Sequence, residues 1–464
     1  MKKVLIFLAL PLLFMAEGCS KFTEGYGESP NNPTKATPPL ILSAAELGLF
    51  STYTGTLARI SATLTQQTGG VQAQMLEIDQ YQLLNTANTN DWNNLYNNVV
   101  QPANDLIENY GATNQQYAAV MKIMKAMALG VATDVWGDVP ATEAGMGNIT
   151  GNLTPKFDTQ ESIYAYIQTL LSEAVTTLTA TDGTNNYTIG SDDFIFGGDL
   201  TKWVNTAHIL QARFANRLSK GDATGSANTA LGFLANVTDA GDAKAYYGSV
   251  TAELNQWAVF KVDRANYLKV GKYMVDLLQN NNDPRLPYYA DKTDAGTYVG
   301  AAPSSELTSA SEVGSYIAGD GAPIPLVTYA EALFIKADAS FRLGNLGDAA
   351  TYYNQAVIKA VTQVTGTAPD AAFIAAYASA TAATITEAQI ATQKWIALYC
   401  QIEAWAEWRR TGYPAITPNA DNVTGTNAVP RRLPVVNDEL LYNKANAEAY
   451  KDIDIFQPVW WDNL

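Results

Sequence analysis

Two glutamates one helical turn apart, Glu403 and Glu407, are the side chains in this sequence best spaced for bond-breaking chemistry. Paired carboxylates can serve as acid and base across a glycosidic bond, so a secreted glycoside hydrolase is one reading. Lys394, Arg409 and Arg410 stand close by, however, and an ion-paired or solvated face is the commoner fate of such a pair. Other catalytic sets fail on composition. His208 is the only histidine; it lies in mid-helix beside Ile209, with no second histidine or free cysteine to complete a ligand set and no nucleophile elbow next to it. The reading therefore includes no catalytic residue, no metal and no cofactor.

A second group of residues suits binding rather than turnover. The chain carries 25 Tyr and 9 Trp but is only 16% charged, and many of its rings fall in polar, Asn- and Gly-rich connections. Val71 to Asn90 is long for a connection inside a compact domain and holds Asp79, Tyr81, Asn88 and Asn90. The stretch 283–318 holds Tyr289, Tyr298 and Tyr316, and Trp257 stands just ahead of it. Rings offer flat faces, and amides and carboxylates hydrogen-bond a ligand's polar groups. Loop positions leave both unclaimed by core packing. These eight residues are the candidate ligand contacts. Trp136, Trp395, Trp405 and Trp408 fall on helices or helix ends and are expected in the core.

The elements that must position these groups are helical hairpins. Leu326, Tyr329, Ala330, Leu333, Phe334, Ala337 and Phe341 recur at a step of three or four, which places them on one helical face. Gly344, Asn345 and Gly347 break the pattern, Asp348 is placed to cap the restart, and a second stripe runs through Ala349, Tyr352, Tyr353, Ala356 and Val357. Joined by so short a turn, the two helices must lie antiparallel. Ala337, Gly344, Ala349 and Ala356 leave room for close approach, and their spacing resembles a tetratricopeptide repeat, with Val361 where a proline is usual. Further helices are expected over Pro39–Gln66, Asp91–Tyr110, Gln115–Val135 and Thr201–Val237, and others behind capping boxes at Asp158/Glu161 and Thr384/Glu387. Residues from about 240 to 325 form a loop-rich insertion, with one helix near Tyr267–Leu278.

Charge and the N-terminus narrow the setting. Forty-five acidic against 29 basic residues leave a net charge of -16 and no basic stripe, which argues against nucleic acid as a partner. Lys2, Lys3 and the apolar run Val4–Met15 read as a targeting leader over 1–18, ending at Cys19. Cleavage before Cys19 and its lipidation are expected, leaving 19–38 as a tether and 39–464 as the folded domain. Attachment to a membrane then runs through lipid alone. Cys400, the other cysteine, reads as a small buried hydrophobe.

The C-terminal motifs point to a family. Trp395-Ile396-Ala397-Leu398-Tyr399, Glu403-Ala404-Trp405, Trp408-Arg409-Arg410-Thr411-Gly412-Tyr413-Pro414, Pro430-Arg431-Arg432-Leu433-Pro434, Asn443 with Asn446, and Pro458-Val459-Trp460-Trp461-Asp462 resemble the SusD/RagB family of outer-membrane nutrient-binding lipoproteins. Gly137-Asp138-Val139-Pro140, Asp283-Pro284-Arg285-Leu286 and Tyr329-Ala330-Glu331 extend the resemblance upstream. It implies a mainly α fold of tetratricopeptide-like hairpins in an α-α superhelix, bearing a loop-rich, substrate-facing half. It also implies a cell-surface lipoprotein that captures oligosaccharide, or peptide in some members, and delivers it to a SusC-type TonB-dependent transporter. A helical-repeat scaffold for binding protein is the remaining alternative. Arg431 and Arg432 are expected to tie the tail to carbonyls or carboxylates of the helical half.

Overall fold

A computed structural model describes residues 36–250 and 253–464. The leader, the lipidation candidate Cys19 and nearly all of the tether lie outside the described residues. In the N-terminal part the helices are α1 (Pro38–Thr54), α2 (Thr56–Leu64), α3 (Ala73–Asp79), α4 (Thr89–Leu95) and α5 (Gln101–Tyr110), the last two joined through a π turn at Tyr96–Val100. There follow α6 (Gln115–Trp136), α7 (Gln160–Thr179), α8 (Leu200–Arg217), α9 (Ala223–Phe233), α10 (Gln256–Asp263) and α11 (Lys272–Asn280). The C-terminal part has α12 (Tyr329–Arg342), α13 (Leu346–Thr365), α14 (Ala371–Tyr377), α15 (Glu387–Ala397) and α16 (Glu403–Thr411). Two short antiparallel ribbons join distant loops: β1 (Thr68–Gly70) pairs with β3 (Leu268–Val270), and β2 (Ala243–Ala245) pairs with β4 (Ile324–Val327).

The helices stack in sequence like the steps of a solenoid. Helix α5 packs on α6, α6 on α7, α7 on α8, α8 on α9, and α9 reaches over the insertion to α12. Helix α12 packs on both α13 and α15; α15 meets α16, which returns to α2. No hairpin buries its stripe alone, so each depends on its neighbours. At the central hairpin Ala337 and Ala356 are fully buried, as their small size predicts. Small residues also set the approach of α6 to α8, where a Cβ on Gly130 would lie 2.3 Å from the Phe214 ring.

Helix starts follow their capping chemistry, with the phase shifted from the expected residues. Thr159, not Asp158, caps α7 by accepting from Ser162 N. The Asp158 carboxylate is taken instead by the N–H groups of Ala141 and Thr142, pinning the preceding loop. The capping box ahead of α15 is Thr386 with Gln389 rather than Thr384 with Glu387, because Thr384 turns back to bond Thr381. Asp348 lies inside the first turn of α13, and Asn345 occupies the cap position without a side-chain bond. The expected loop at Val71–Asn90 contains α3, and the Tyr267–Leu278 helix is split into β3 and the start of α11.

A spine of buried charge runs through the stack. Arg213 on α8 grips Glu331 on α12 at 2.6 and 2.7 Å, and Arg217 bridges Glu403 at 2.7 Å and Asp134 at 3.1 Å. Lys394 reaches Glu407 at 2.9 Å, while Arg410 joins Glu407 to Asp338. The tail closes on this spine: Arg431 and Lys220 hold Asp462, Arg432 donates to the Trp136 carbonyl, and Trp461 Nε1 donates to Asp134 at 2.8 Å. Arg409 lies between the rings of Trp405 and Trp461, 4.3 and 4.9 Å from their centroids. Trp136, Trp395, Trp405 and Trp408 are all buried. Cys400 is fully buried and unpaired with another cysteine. No helix among the described residues is long and apolar enough to cross a membrane.

Candidate functional site

The carboxylate pair that could have done chemistry belongs to the spine. Burial alone would raise both carboxyls, but Arg217 and Arg213 around Glu403, and Arg410 and Lys394 around Glu407, outweigh it and hold both below the usual carboxylate range. A glycosidase needs one carboxyl kept protonated near neutral pH, and neither glutamate is. His208 bonds Gln211 within α8 at 3.0 Å and serves the helix.

The loops tell a different story. Asp79, at the end of α3, is 4% exposed, and its carboxylate ties three segments together. Its Oδ2 accepts from Ser304 N at 2.7 Å and from Asn419 Nδ2 at 3.1 Å, and its Oδ1 accepts from Gly70 N at 3.4 Å. Asn419 also donates its amide to the Asp79 carbonyl at 2.7 Å and its backbone N–H to the Tyr81 hydroxyl at 2.9 Å. Val71, Ala301 and Ala310 form a small apolar cluster beneath this junction. Val423 N donates to Gln80 O, Gln66 reaches Thr417 O, and Val71 N donates to Tyr267 O. Loops at 66–84, 298–310 and 415–426, with the turn at 264–267 beside them, thus make one rim.

Burial pushes the Asp79 carboxyl up to about 7, and the Ser304 and Gly70 N–H groups pull in the other direction. The rim is also where backbone strain concentrates. Gln66, Ala73, Tyr81, Asn266, Ser304 and Glu306 hold positive φ, and only Asn282 and Cys400 do so elsewhere among the described non-glycine residues. Left-handed backbone at a non-glycine residue costs on the order of 1–3 kcal/mol and persists where surrounding contacts over-determine it, commonly at functional sites. Gln72, Gln74, Gln82, Ser305 and Thr424 expose amides and hydroxyls from the rim, and among them stand the exposed charges of Glu77, Arg264, Glu306 and Asp421.

Of the eight candidate contacts, the structure brings Asp79, Tyr81 and Tyr298 to this rim. Tyr298 is half-buried, enters the run that carries Ala301, and has the Lys292 ammonium 5.8 Å from its ring centroid. Tyr81 is buried with its ring edge-on to Phe456, so it shapes the rim from below. The others stand apart. Asn88 is buried at the start of α4, and Asn90 is exposed in its first turn. Trp257 is a core side chain with the Arg59 guanidinium 5.9 Å from its ring. Tyr289 is fully buried and stacks on Tyr399 at 4.2 Å, while Tyr316 leans on Tyr289 and pairs its hydroxyl with Gln363. Sequence reasoning missed Ser304 and Asn419. The one signal for Asn419 is that Asn419–Gly425, rich in Asn, Asp and Thr, has the same texture as the other loops.

A solenoid of helical hairpins with a strained, polar, looped rim defines the class: a repeat scaffold that presents a binding surface. The chain belongs to the SusD-like family described as starch-binding and associating with the outer membrane, which it matches over residues 30–435. Among solved structures it resembles a chitin-binding protein at 26% identity, TM-score 0.75, covering 92% of this chain and 100% of that one. A chitin-binding SusD homolog from Flavobacterium johnsoniae shares the fold at 22% identity and TM-score 0.79, covering 91% and 98%. A SusD/RagB family protein from Bacteroides thetaiotaomicron does so at 22% identity and TM-score 0.75, covering 92% and 99%. No curated protein sequence matches the chain.

Proposed function

We propose that this chain is a lipid-anchored glycan-capture protein of the outer-membrane surface that hands neutral oligosaccharide to a SusC-type TonB-dependent transporter. The observation that carries the reading is the rim: three loops latched by one buried carboxylate, with most of the left-handed non-glycine residues gathered there and exposed amides and hydroxyls among its outward side chains. Such a surface offers hydrogen bonds to sugar hydroxyls from amides, hydroxyls and carboxylates alike. Tyr298, half-buried at the edge of the rim, is the ring to which we assign stacking on a sugar face. The family's description and the chitin-binding names of two similar structures support a glycan, with N-acetylglucosamine and glucose polymers the first to try. Anchoring rests on the leader and Cys19, which predict that Cys19→Ala releases the protein from the membrane fraction.

Calorimetric titration with N-acetylchitohexaose and with maltohexaose, alongside an assay for product release, tests the reading. Saturable binding of at least one sugar with no turnover supports capture. Turnover, or no binding to either sugar with the protein folded, overturns it.

A further inference from the structure

A cavity of about 570 Å³ opens on the helical half, away from the rim, between α13, α14 and α15. Tyr353, Tyr377, Thr392, Gln393 and Asn281 face it over a floor of small residues that includes Ala388. Its size falls within the roughly 300–1,000 Å³ of small-molecule sites. Among the described residues no ionisable group other than the two tyrosines lines it, although the chain carries a net charge of -16.

Several polar groups on its wall keep a donor or an acceptor open. Tyr353 is only 3% exposed, yet its hydroxyl makes no hydrogen bond among the described residues. Gln393, 4% exposed, gives its Oε1 to Arg285 Nη2 at 2.8 Å. A guanidinium can only donate, so the amide oxygen must face Arg285 and the NH₂ must turn the other way. Arg285 is itself fixed by Asp283 at 2.6 and 2.9 Å. The Thr392 hydroxyl is likewise without a partner among the described residues, and Asn281 uses its Oδ1 on the Tyr377 hydroxyl at 3.1 Å, which leaves its NH₂ free. The wall is rigid: Asn354 clamps Ala380 through two bonds of 2.9 Å, and Phe373 anchors α14 in the core.

We infer that this cavity is a second binding site, for a small neutral polyhydroxylated ligand, a sugar of one to a few rings. Two hydroxyls and two amides held by the protein match a ligand that both donates and accepts, and the Tyr377 ring gives it an apolar face. An extended peptide fits less well. Most of the wall is helix whose backbone groups are used internally, the rest is the turn at 378–386 and Asn281, and no described strand edge is offered; the polar lining does not suit an amphipathic helix. This site is independent of the rim and of the proposal made for it.

Hydrogen exchange of the full chain, measured with and without N,N′,N″-triacetylchitotriose, maltotriose and the uncharged peptide acetyl-tetraalanine amide, tests the inference. Slower exchange over 371–393 with at least one sugar is expected. Tyr353→Phe and Thr392→Val, each removing one hydroxyl, should each raise the half-saturating concentration about fivefold to tenfold while leaving the melting temperature unchanged. No protection of 371–393 by either sugar, protection unaltered in both variants, or protection by the peptide alone overturns it. Rim segments 66–84 and 415–426 report in the same measurement, so failure at one site is read apart from failure at the other.

Discussion

The helical spine and the looped rim solve the problem of buried charge in opposite ways. In the spine each carboxylate faces cations: Glu331 has Arg213, Glu403 has Arg217, and Glu407 has Lys394 and Arg410. At the rim a single buried carboxylate, Asp79, meets only N–H donors from three loops. Paired charges resist pH and fix helices against one another, whereas a lone carboxylate among amides holds loops together with a strength that its own proton controls. Stability is concentrated in one half and adjustable geometry in the other, which is the division the proposed capture role requires.

The comparison breaks most visibly if the spine is not the source of stability. Glu331→Ala leaves the Arg213 guanidinium buried without its main partner, and removing one member of a buried pair costs about 3–5 kcal/mol. Chemical denaturation should show that loss, and a change below about 1 kcal/mol would place the stability elsewhere. Next in size is Ala356→Trp. The residue is fully buried against α12, and overpacking there should cost roughly 1–3 kcal/mol or more, read as a lower melting temperature with the rim unaltered.

How much of this was legible follows from the range of the interactions. The Leu326–Val357 hairpin was readable because its apolar step and its small residues are local, and the structure buries Ala337 and Ala356 where the pattern requires. The ion-paired fate of Glu407 was legible for the same reason, since Lys394 and Arg410 are neighbours in sequence as well as in space, whereas Glu403 meets Arg217 and Arg213, which only the fold brings to it. The rings were not. Tyr289 reads as a loop tyrosine, but the turn at Leu286–Tyr289 delivers it to Tyr399, and nothing in the local sequence records a partner so far along the chain. Asp79 could be singled out by its loop, yet its role as a latch depends on Ser304 and Asn419, which only the fold brings to it.

Asp79 supplies the third prediction, at about 1–3 kcal/mol and local to the rim. Asp79→Ala leaves the Ser304 and Gly70 donors unpaired and takes one of three acceptors from the Asn419 amide, so exchange should quicken over 66–84, 302–310 and 415–426 while the helices hold. A pH dependence accompanies it. The folded carboxyl titrates at about 7 against an ordinary value of 3.8, so the folded rim disfavours the charged form. Its contribution is therefore fully present below about pH 4 and is lost as pH rises through 7. After correction for intrinsic exchange, rim protection should be greater at pH 5 than at pH 8, and Asp79→Asn should flatten the difference. A rim that tightens as pH rises would mean that the N–H donors outweigh burial.

The smallest effect separates binding from architecture. Tyr298 is half-buried on the rim, its ring sits near Lys292, and no described hydrogen bond uses its hydroxyl, so truncation removes a surface ring without leaving a buried polar group unpaired. An aromatic contact adds about 0.5–1.5 kcal/mol beyond its buried area, which corresponds to a twofold to roughly tenfold loss of affinity. Tyr298→Ala should weaken retention of whichever glycan the protein binds by that factor while leaving its melting curve in place. Tyr81→Phe is the matched control from beneath the surface. It deletes the acceptor of the Asn419 N–H, so any loss of binding should come with faster exchange at 415–426. If Tyr298→Ala binds as the parent does while Tyr81→Phe does not, the ligand is held by the rim's amides and hydroxyls alone, and the stacking role assigned to Tyr298 is wrong.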